Sequence, residues 1–265
     1  MNKKIVQISI IAILVVITLG CDMGGGLDYG SSSHQQTVST PTIGLESDFG
    51  FSGQKLVIKS NTLGATIRYT TDGTIPSETN GISYTSYSYL EEPAIVNAIA
   101  YRGGYKKSNV ASRSFFKVSD PYPSISYDGN SVSFFASGAD IYYSTSGLTP
   151  TSSSSKCYSQ ITTSSIPGNT LKVIATKANS IKSNVVEVKK VAKPNIMVLL
   201  GEVCLVHTSP SVTLRYTTNG TTPTRTNGTL VIGGAKISVS KGKTIKAIAY
   251  TSDSLNSDVE TYYYW

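Results

Sequence analysis

Apolar and polar residues alternate strictly in one short stretch that the chain repeats three times. In its first copy, Ile67 and Tyr69 alternate with polar residues, among them Arg68. This period of two is typical of a β-strand with one buried face, so we expect Ile67 and Tyr69 in a core and Arg68 in water. The tyrosine recurs as Tyr143 and Tyr216, at intervals of 74 and 73 residues. The pattern therefore predicts three copies of one β-rich module.

A turn follows each predicted strand, because Asp72, Ser146 and Asn219 each precede a glycine. Glycine adopts positive φ at low cost, and the preceding side chain can bond the local backbone. A proline stands three residues after each glycine and cannot donate to a ladder, so the chain leaving the turn is expected at an edge or in a loop. An aspartate here could also serve a metal or catalysis. Ser146 and Asn219 replace it in the other copies, which favours a structural turn.

Further short apolar segments with glycine and proline turns accompany each copy, and the sequence has no amphipathic helical pattern of any length. This organisation predicts an all-β fold of three tandem β-sandwich modules. We place the modules at residues 41–119, 120–193 and 194–265. No glycine- or serine-rich linker separates them, and a module of this size buries only about 60% of its unfolded surface, so it would be marginally stable alone. We therefore expect a semi-rigid row of modules that pack on one another.

The repeated residues resemble the chitobiase/β-hexosaminidase C-terminal domain and the related fibronectin-III-associated repeat. The similarity comprises the strand and turn above, an alanine-rich strand (residues 96–101, 171–176 and 245–250) and a Ser-x-Val ending at Ser108, Ser183 and Ser257. The second copy departs from this pattern, since Ser146 replaces the turn acid and no Gly-Tyr precedes Ser183. The resemblance implies small Ig-like, fibronectin-III-like sandwiches appended to extracellular bacterial proteins, and it implies no catalytic residues.

The N-terminus has the pattern of a secretion signal, residues 1–20. Lys3 and Lys4 precede a short apolar run that ends at the small residue Gly20. The junction before Cys21 resembles a lipoprotein lipobox, which implies that Cys21 becomes a lipidated N-terminus. The alternative is an ordinary signal peptide that happens to precede a cysteine.

Residues 21–40 are rich in glycine and serine and predict a flexible tether that reaches roughly 25 Å. Two or more acyl chains on Cys21 would anchor the protein stably in a membrane. We therefore expect a bacterial cell-envelope protein, on the outer membrane or the cell surface.

Composition and motifs argue against several classes of function. The net charge is +7, or +5 without Lys3 and Lys4, and the lysines are scattered, so we expect no nucleic-acid partner. Two histidines and no known catalytic or metal motif predict a protein that is not an enzyme, with no catalytic residues, no metal and no cofactor. Cys157 and Cys204 occupy non-equivalent positions, and whether they pair stays open.

The remaining functional signal is a cluster of Tyr84, Tyr87 and Tyr89 in the first copy. On an extended segment Tyr87 and Tyr89 share one face, and Tyr84 falls on the other. The other copies do not repeat the rings, so we predict that the cluster binds a protein or glycan ligand. The alternative is an edge strand that packs its own rings.

Two functions from different classes follow for the whole chain. The first is a non-catalytic, membrane-anchored surface lipoprotein that acts as a binding, spacer or adhesion module. The second is a carbohydrate-binding accessory protein associated with glycan degradation. Coplanar exposed rings repeated across the modules would favour a sugar, and a broad apolar patch would favour a protein partner. A deep pocket with convergent polar groups would favour an enzyme.

Overall fold

The computed structural model describes residues 35–46, 53–232 and 234–265 and contains three successive sets of seven strands. We call these sets repeats 1, 2 and 3. Repeat 1 consists of β1 (Thr42–Glu46), β2 (Gln54–Lys59), β3 (Thr66–Thr70), β4 (Ile82–Tyr84), β5 (Ser88–Leu90), β6 (Ala94–Tyr101) and β7 (Ala111–Phe115).

Repeats 2 and 3 have the same strand order as repeat 1. Repeat 2 consists of β8 (Tyr122–Ile125), β9 (Ser131–Phe135), β10 (Asp140–Ser144), β11 (Ser155–Lys156), β12 (Ile161–Thr162), β13 (Thr170–Thr176) and β14 (Val186–Lys189). A single 3₁₀ turn, Thr163–Ser165, follows β12. Repeat 3 consists of β15 (Asn195–Leu199), β16 (Glu202–Val206), β17 (Thr213–Thr217), β18 (Thr229–Ile232), β19 (Ala235–Ile237), β20 (Lys243–Tyr250) and β21 (Glu260–Tyr264).

Each repeat pairs its strands into one three-stranded and one four-stranded antiparallel sheet. In repeat 1 the orders are β1-β2-β5 and β4-β3-β6-β7, and the same orders recur in repeats 2 and 3. The repeated alternating stretch forms β3, β10 and β17, and each lies beside the alanine-rich strand of its repeat. The predicted all-β fold of tandem sandwiches is therefore confirmed.

A separate hydrophobic cluster lies between the two sheets of each repeat. Ile67 and Tyr69 are buried in the first cluster, as the period of two predicts, and Tyr143 and Tyr216 pack against the second and third from partly buried positions. Val38 also belongs to the first cluster and is 1% exposed. The packed part of repeat 1 therefore includes the last residues of the predicted 21–40 tether.

The arginines of the repeated strand lie on the outer face but are only partly exposed. Arg68 donates to the carbonyl oxygen of Gly81 at 2.7 Å, and Arg215 donates to that of Gly228 at 2.6 Å. We expected Arg68 in water, and the structure instead has it holding the loop between β3 and β4. The reason is that the chain after the turn folds back beside the strand and brings an unpaired carbonyl within reach.

Candidate functional site

The aspartate of the repeated turn after β3 has a structural role within that turn. Asp72 accepts hydrogen bonds from the amide of Thr74 at 3.0 Å and from its hydroxyl at 2.6 Å. These bonds stabilise the ionised carboxyl and lower its pKa below the usual value. Asn219 accepts the same two bonds from Thr221, so a neutral amide serves the turn equally. Gly73 has φ of +83°, as such a turn requires.

The described residues contain no cluster of His, Cys, Asp and Glu that could hold a metal ion. The buried hydroxyls of Ser108, Ser183 and Ser257 all accept a backbone amide across the end of the alanine-rich strand, at 2.8–2.9 Å. Each also donates to the carbonyl oxygen of the next residue. Because this arrangement recurs in every repeat, it explains the Ser-x-Val ending as backbone support.

The predicted tyrosine site divides into one inward and two outward rings. Tyr84 lies in edge strand β4 and packs against the core of repeat 1, with its ring centroid 6.0 Å from that of Tyr69. Tyr87 is 55% exposed, and its ring lies 5.7 Å from that of Tyr89 at an interplanar angle of 72°. Of the three predicted ligand residues, the structure therefore brings Tyr87 and Tyr89 together on the surface.

Charged side chains border this aromatic pair on the outer face of the three-stranded sheet. Lys55 is the register partner of Tyr89, and its ammonium lies 5.3 Å from the centroid of the Tyr87 ring. Glu46 lies 3.9 Å from the same ammonium. Gly44 and Val57 are paired further along this face, and a side chain at Gly44 would meet nothing within 4 Å. The pair thus borders an open surface, but its crossed rings do not form one flat platform.

The loops that precede β14 and β21 each connect their repeat to the one before it, and the equivalent loop before β7 pairs with residues 36–38. We call residues 102–110, 177–185 and 251–259 the plug loops. The plug loop of repeat 2 contributes Ile181 to the core of repeat 1, and that of repeat 3 contributes Leu255 to the core of repeat 2. These residues are 1% and 0% exposed. Each repeat therefore completes the core of the repeat before it.

The segments that join the repeats are hydrogen-bonded to the same loops. Ile181 donates its amide to the carbonyl of Phe116 at 2.9 Å and accepts the amide of Val118 at 2.8 Å. Leu255 makes the equivalent bonds with Lys189 and Val191, at 3.0 and 2.9 Å. A connection that pairs on both sides in this way has little freedom to bend.

Polar groups reinforce the junction between repeats 2 and 3. Asn256 is 2% exposed, and its side-chain amide donates to the carbonyl of Asp128 at 2.8 Å. Its amide oxygen accepts from Arg225 at 2.8 Å. Lys190, which is almost completely buried, bonds the carbonyl of Ile166 in repeat 2 and lies 2.9 Å from a carboxylate oxygen of Asp258 in repeat 3. A buried ammonium needs such partners, so this junction is specific as well as tight.

A cleft of about 400 Å³ lies between repeats 1 and 2. Glu92 and Lys117 line it and form an ion pair with an N–O distance of 2.7 Å. The cleft also includes Ser183, whose hydroxyl is already engaged with backbone groups. Glu91 and Lys182 also line the cleft.

Sequence reasoning missed Ile181 and Leu255, the two residues that join the repeats. A signal for them exists, because both are apolar residues at one aligned position of a polar loop, where repeat 1 has Lys106. Cys157 and Cys204 are unpaired in the structure, which answers the open question of their pairing. Cys204 is buried but does not belong to the core cluster of repeat 3, whereas its neighbours Val203 and Leu205 do. Cys21, the predicted lipidation site, lies outside the described residues.

No helix in the described part of the chain is long and apolar enough to span a membrane.

Comparison with protein families finds a match to the family described as Fn3 associated, at residues 56–115 and 203–264. These ranges fall in repeats 1 and 3, and repeat 2 has the same strand order. No curated protein matches the sequence. Among solved structures, domains 7, 8 and 9 of the S-layer protein SbsC align with a TM-score of 0.24 and 14% identity, over 68% of this chain and 72% of that chain.

Proposed function

Since this chain carries tandem Fn3-associated repeats, a non-catalytic accessory type of domain, we propose that it is a lipid-anchored binding and spacer protein of the bacterial cell envelope. In this role the acyl chains on Cys21 hold it in a membrane, and the repeats present a contact surface away from the lipid. A protein with this role needs no cofactor, no metal and no catalytic group.

The interlocked repeats are the observation that supports this proposal most directly. Ile181 and Leu255 each enter the core of the preceding repeat, and the connecting segments pair with the plug loops on both sides. Bending at a junction would expose these apolar side chains and break the paired backbone groups, so the junctions resist it. A protein that must keep a binding surface at a set distance needs this property. Independent domains on flexible linkers would lack it.

Membrane attachment is tested by replacing the proposed lipidated residue. The Cys21→Ser variant should leave the membrane fraction, because one cleaved terminus without acyl chains has nothing to bury in lipid. The wild-type chain should take up a labelled fatty acid during growth, and the variant should not. Cys157→Ser is the matched control and should stay in membranes with its label. A wild-type chain without label would exclude the lipid anchor.

The aromatic pair of repeat 1 is the proposed contact surface for a protein partner. Tyr87 and Tyr89 expose apolar ring area beside Lys55 and Glu46, a mixture typical of protein contacts. We expect the double alanine variant of Tyr87 and Tyr89 to lose at least tenfold in affinity for an envelope or host protein identified by cross-linking. It should keep its circular dichroism spectrum and melting temperature.

A matched control separates this surface from general loss of exposed rings. Tyr122 and Tyr158 are also exposed, and Tyr158 has Lys156 5.5 Å from its ring as Tyr87 has Lys55. The double alanine variant of Tyr122 and Tyr158 should bind as wild type does. Equal losses in both double variants, or unfolding of repeat 1 in the first, would count against this contact surface.

Carbohydrate binding is the second candidate function, and the exposed tyrosine pair is what favours it. Tyrosine rings stack on sugar faces, but two rings at 72° offer one face each instead of a shared platform. A glycan array with the wild-type chain and the Tyr87/Tyr89 double variant distinguishes the two candidates. If the wild-type chain binds a glycan on the array and the double variant does not, the ligand of this surface is a carbohydrate and not a protein.

A further inference from the structure

The two junctions between repeats place a lysine at the same position but surround it differently. Lys117 forms a parallel backbone bridge with Ile181 at the first junction, and Lys190 forms the same bridge with Leu255 at the second. The side chain of Lys190 is 1% exposed, whereas that of Lys117 is 20% exposed. Two equivalent ammonium groups therefore differ in what covers them.

At the second junction the chain itself supplies the partners of the buried ammonium. Lys190 donates to the carbonyl oxygen of Ile166 and lies 2.9 Å from a carboxylate oxygen of Asp258. Ile166 follows the 3₁₀ turn Thr163–Ser165, in the connection between β12 and β13. Its carbonyl satisfies a donor that would otherwise be buried without a partner. A stretch of backbone thus fills the space beside Lys190.

At the first junction an open cleft of about 400 Å³ lies beside Lys117. The length of one connection accounts for it. Residues 91–93 connect β5 to β6, whereas the longer segment 163–169 connects β12 to β13. Residues 91–93 contain no 3₁₀ turn like the one beside Lys190, so the space next to the equivalent lysine stays open.

Within the described residues, the ammonium of Lys117 has one bonding partner. It lies 2.7 Å from a carboxylate oxygen of Glu92, whose side chain is 75% exposed. Asn184, at the position of the carboxylate partner of Lys190, is bonded to Asp120 instead. An ammonium has three N–H donors, so an oxygen acceptor in the cleft would give Lys117 the carbonyl that Lys190 already has.

The other walls of the cleft suit a short peptide. Its volume lies within the range of roughly 300–1,000 Å³ that small-ligand sites occupy. Pro150 and the exposed Val185 line it with apolar atoms, and Thr149 and Asn184 line it with polar groups. A peptide needs both kinds of contact, because polar amides alternate with apolar carbon along its backbone. The paired backbone of the junction holds these walls in place, so little has to be ordered on binding.

We propose that the cleft between repeats 1 and 2 binds a short peptide segment of a partner protein, with a backbone carbonyl oxygen on the ammonium of Lys117. The segment takes the place that residues 163–166 occupy beside Lys190, which is the reason for assigning a peptide as the ligand. The carboxylate of Glu92 has further acceptor positions for the N–H groups of the segment. This inference rests on the comparison of the two junctions and not on the lipid anchor or the tyrosine pair.

The segment that fills the space beside Lys190 serves as the probe. Residues 162–168 are synthesised as an acetylated and amidated peptide and titrated into ¹⁵N-labelled residues 21–265 with Cys21→Ser. We expect chemical-shift changes at residues 91–92, 117 and 182–185, with a Kd of about 1 mM or tighter. N-acetylglucosamine, a sugar that carries the same amide carbonyl, should not produce these changes.

A matched pair of lysine variants tests the role of the ammonium. Lys117→Met removes the charge and keeps the stem, so it should weaken peptide binding at least tenfold. Lys156→Met is the control, because Lys156 also forms an ion pair, 2.8 Å from Asp140, but does not line the cleft. The double alanine variant of the aromatic pair should keep its affinity for the probe, which separates the two proposed surfaces. If Lys117→Met unfolds the chain, Thr149→Trp fills the cleft from an exposed position and serves in its place.

Three results would overturn the proposal. The first is a folded wild-type chain that shows no shift at the cleft residues with the peptide at about 5 mM. The second is an equal loss of binding in Lys117→Met and Lys156→Met, which would mean a general effect of charge. The third is binding of N-acetylglucosamine but not of the peptide, because the ligand would then be a glycan and not a protein segment.

Discussion

The inward tyrosine of the repeated strand differs in burial between the three repeats. Tyr69 is 4% exposed, whereas Tyr143 and Tyr216 are only partly buried. A ring that is fully enclosed leaves a larger cavity when it is removed, and the surrounding atoms relax only in part. The same sequence position should therefore contribute unequally to stability.

We predict that Tyr69→Ala lowers the free energy of unfolding by about 3–5 kcal/mol. Tyr216→Ala should cost less, since solvent already reaches part of its ring. Chemical denaturation followed by tyrosine fluorescence and circular dichroism measures both, with the exposed Tyr122→Ala as control. A larger loss for Tyr216→Ala than for Tyr69→Ala would contradict this ranking.

Glycine is required at Gly228, where the arginine of the strand holds the returning loop. Gly228 has φ of +101°, and a Cβ there would lie 2.7 Å from the carbonyl oxygen of Tyr216. The same geometry recurs at Gly81, where the distance to the carbonyl oxygen of Tyr69 would be 2.8 Å. The clash is with backbone, so it cannot be relieved by a side-chain rotation.

We predict that Gly228→Ala destabilises repeat 3 by about 2 kcal/mol or more, from strain and from the displaced bond to Arg215. Gly44→Ala is the control, because that strand glycine has open space on its side-chain face. It should be neutral or stabilising by about 0.5–1 kcal/mol. Thermal unfolding of the two variants checks the difference, and equal shifts would refute the backbone clash.

At the scale of elements, the plug loops of repeats 2 and 3 each pack into the core of the preceding repeat. Ile181 belongs to repeat 2 by sequence but to the core of repeat 1 by contact. An enclosed isoleucine makes packing contacts on all sides. Truncating it should therefore lower the stability of repeat 1, which receives the side chain.

We predict that Ile181→Ala costs about 2–5 kcal/mol and loosens repeat 1. Hydrogen exchange should accelerate in β2 and β6, which lie in repeat 1, although the substitution is in repeat 2. Val185→Ala, at an exposed position of the same loop, should leave exchange in β2 and β6 unchanged. Faster exchange confined to repeat 2 would show that the plug does not couple the repeats.

At the scale of the whole described chain, stability and geometry are shared between repeats. The turn between β8 and β9 contacts repeat 3 so closely that a Cβ at Gly129 would lie 2.3 Å from Arg225 and Asn256 atoms. Gly138, in the same repeat, has a similar positive φ but would meet only the Lys177 ammonium, at 3.6 Å. The two glycines therefore differ in the junction contact and not in backbone strain.

We predict that Gly129→Ala uncouples repeats 2 and 3, whereas Gly138→Ala does not. Both changes should carry a similar strain cost of about 1 kcal/mol, because both place a side chain in the left-handed region. Trypsin cleavage between Lys189 and Lys193 should become at least tenfold faster in the Gly129→Ala variant alone. Similar cleavage rates for the two variants would mean that the contact does not hold the junction.

The sequence by itself determined the strands, the turns and their repetition. Alternation of Ile67 and Tyr69 with polar residues sets one face of β3 inward, and Gly73 permits the turn that follows. These features depend on neighbours along the chain, so a pattern of a few residues contains them. The separation of Tyr84 from Tyr87 and Tyr89 does not follow from that periodicity, because Tyr84 and Tyr89 lie in strands of different sheets.

Only the tertiary structure decided in which repeat's core each buried residue lies. Ile181 and Leu255 look like isolated apolar residues in polar loops, and periodicity cannot assign them to the preceding repeat. The contact of Arg215 with Gly228 likewise depends on a loop returning beside its strand. Such contacts arise from the docking of separate elements, whose geometry no local pattern contains.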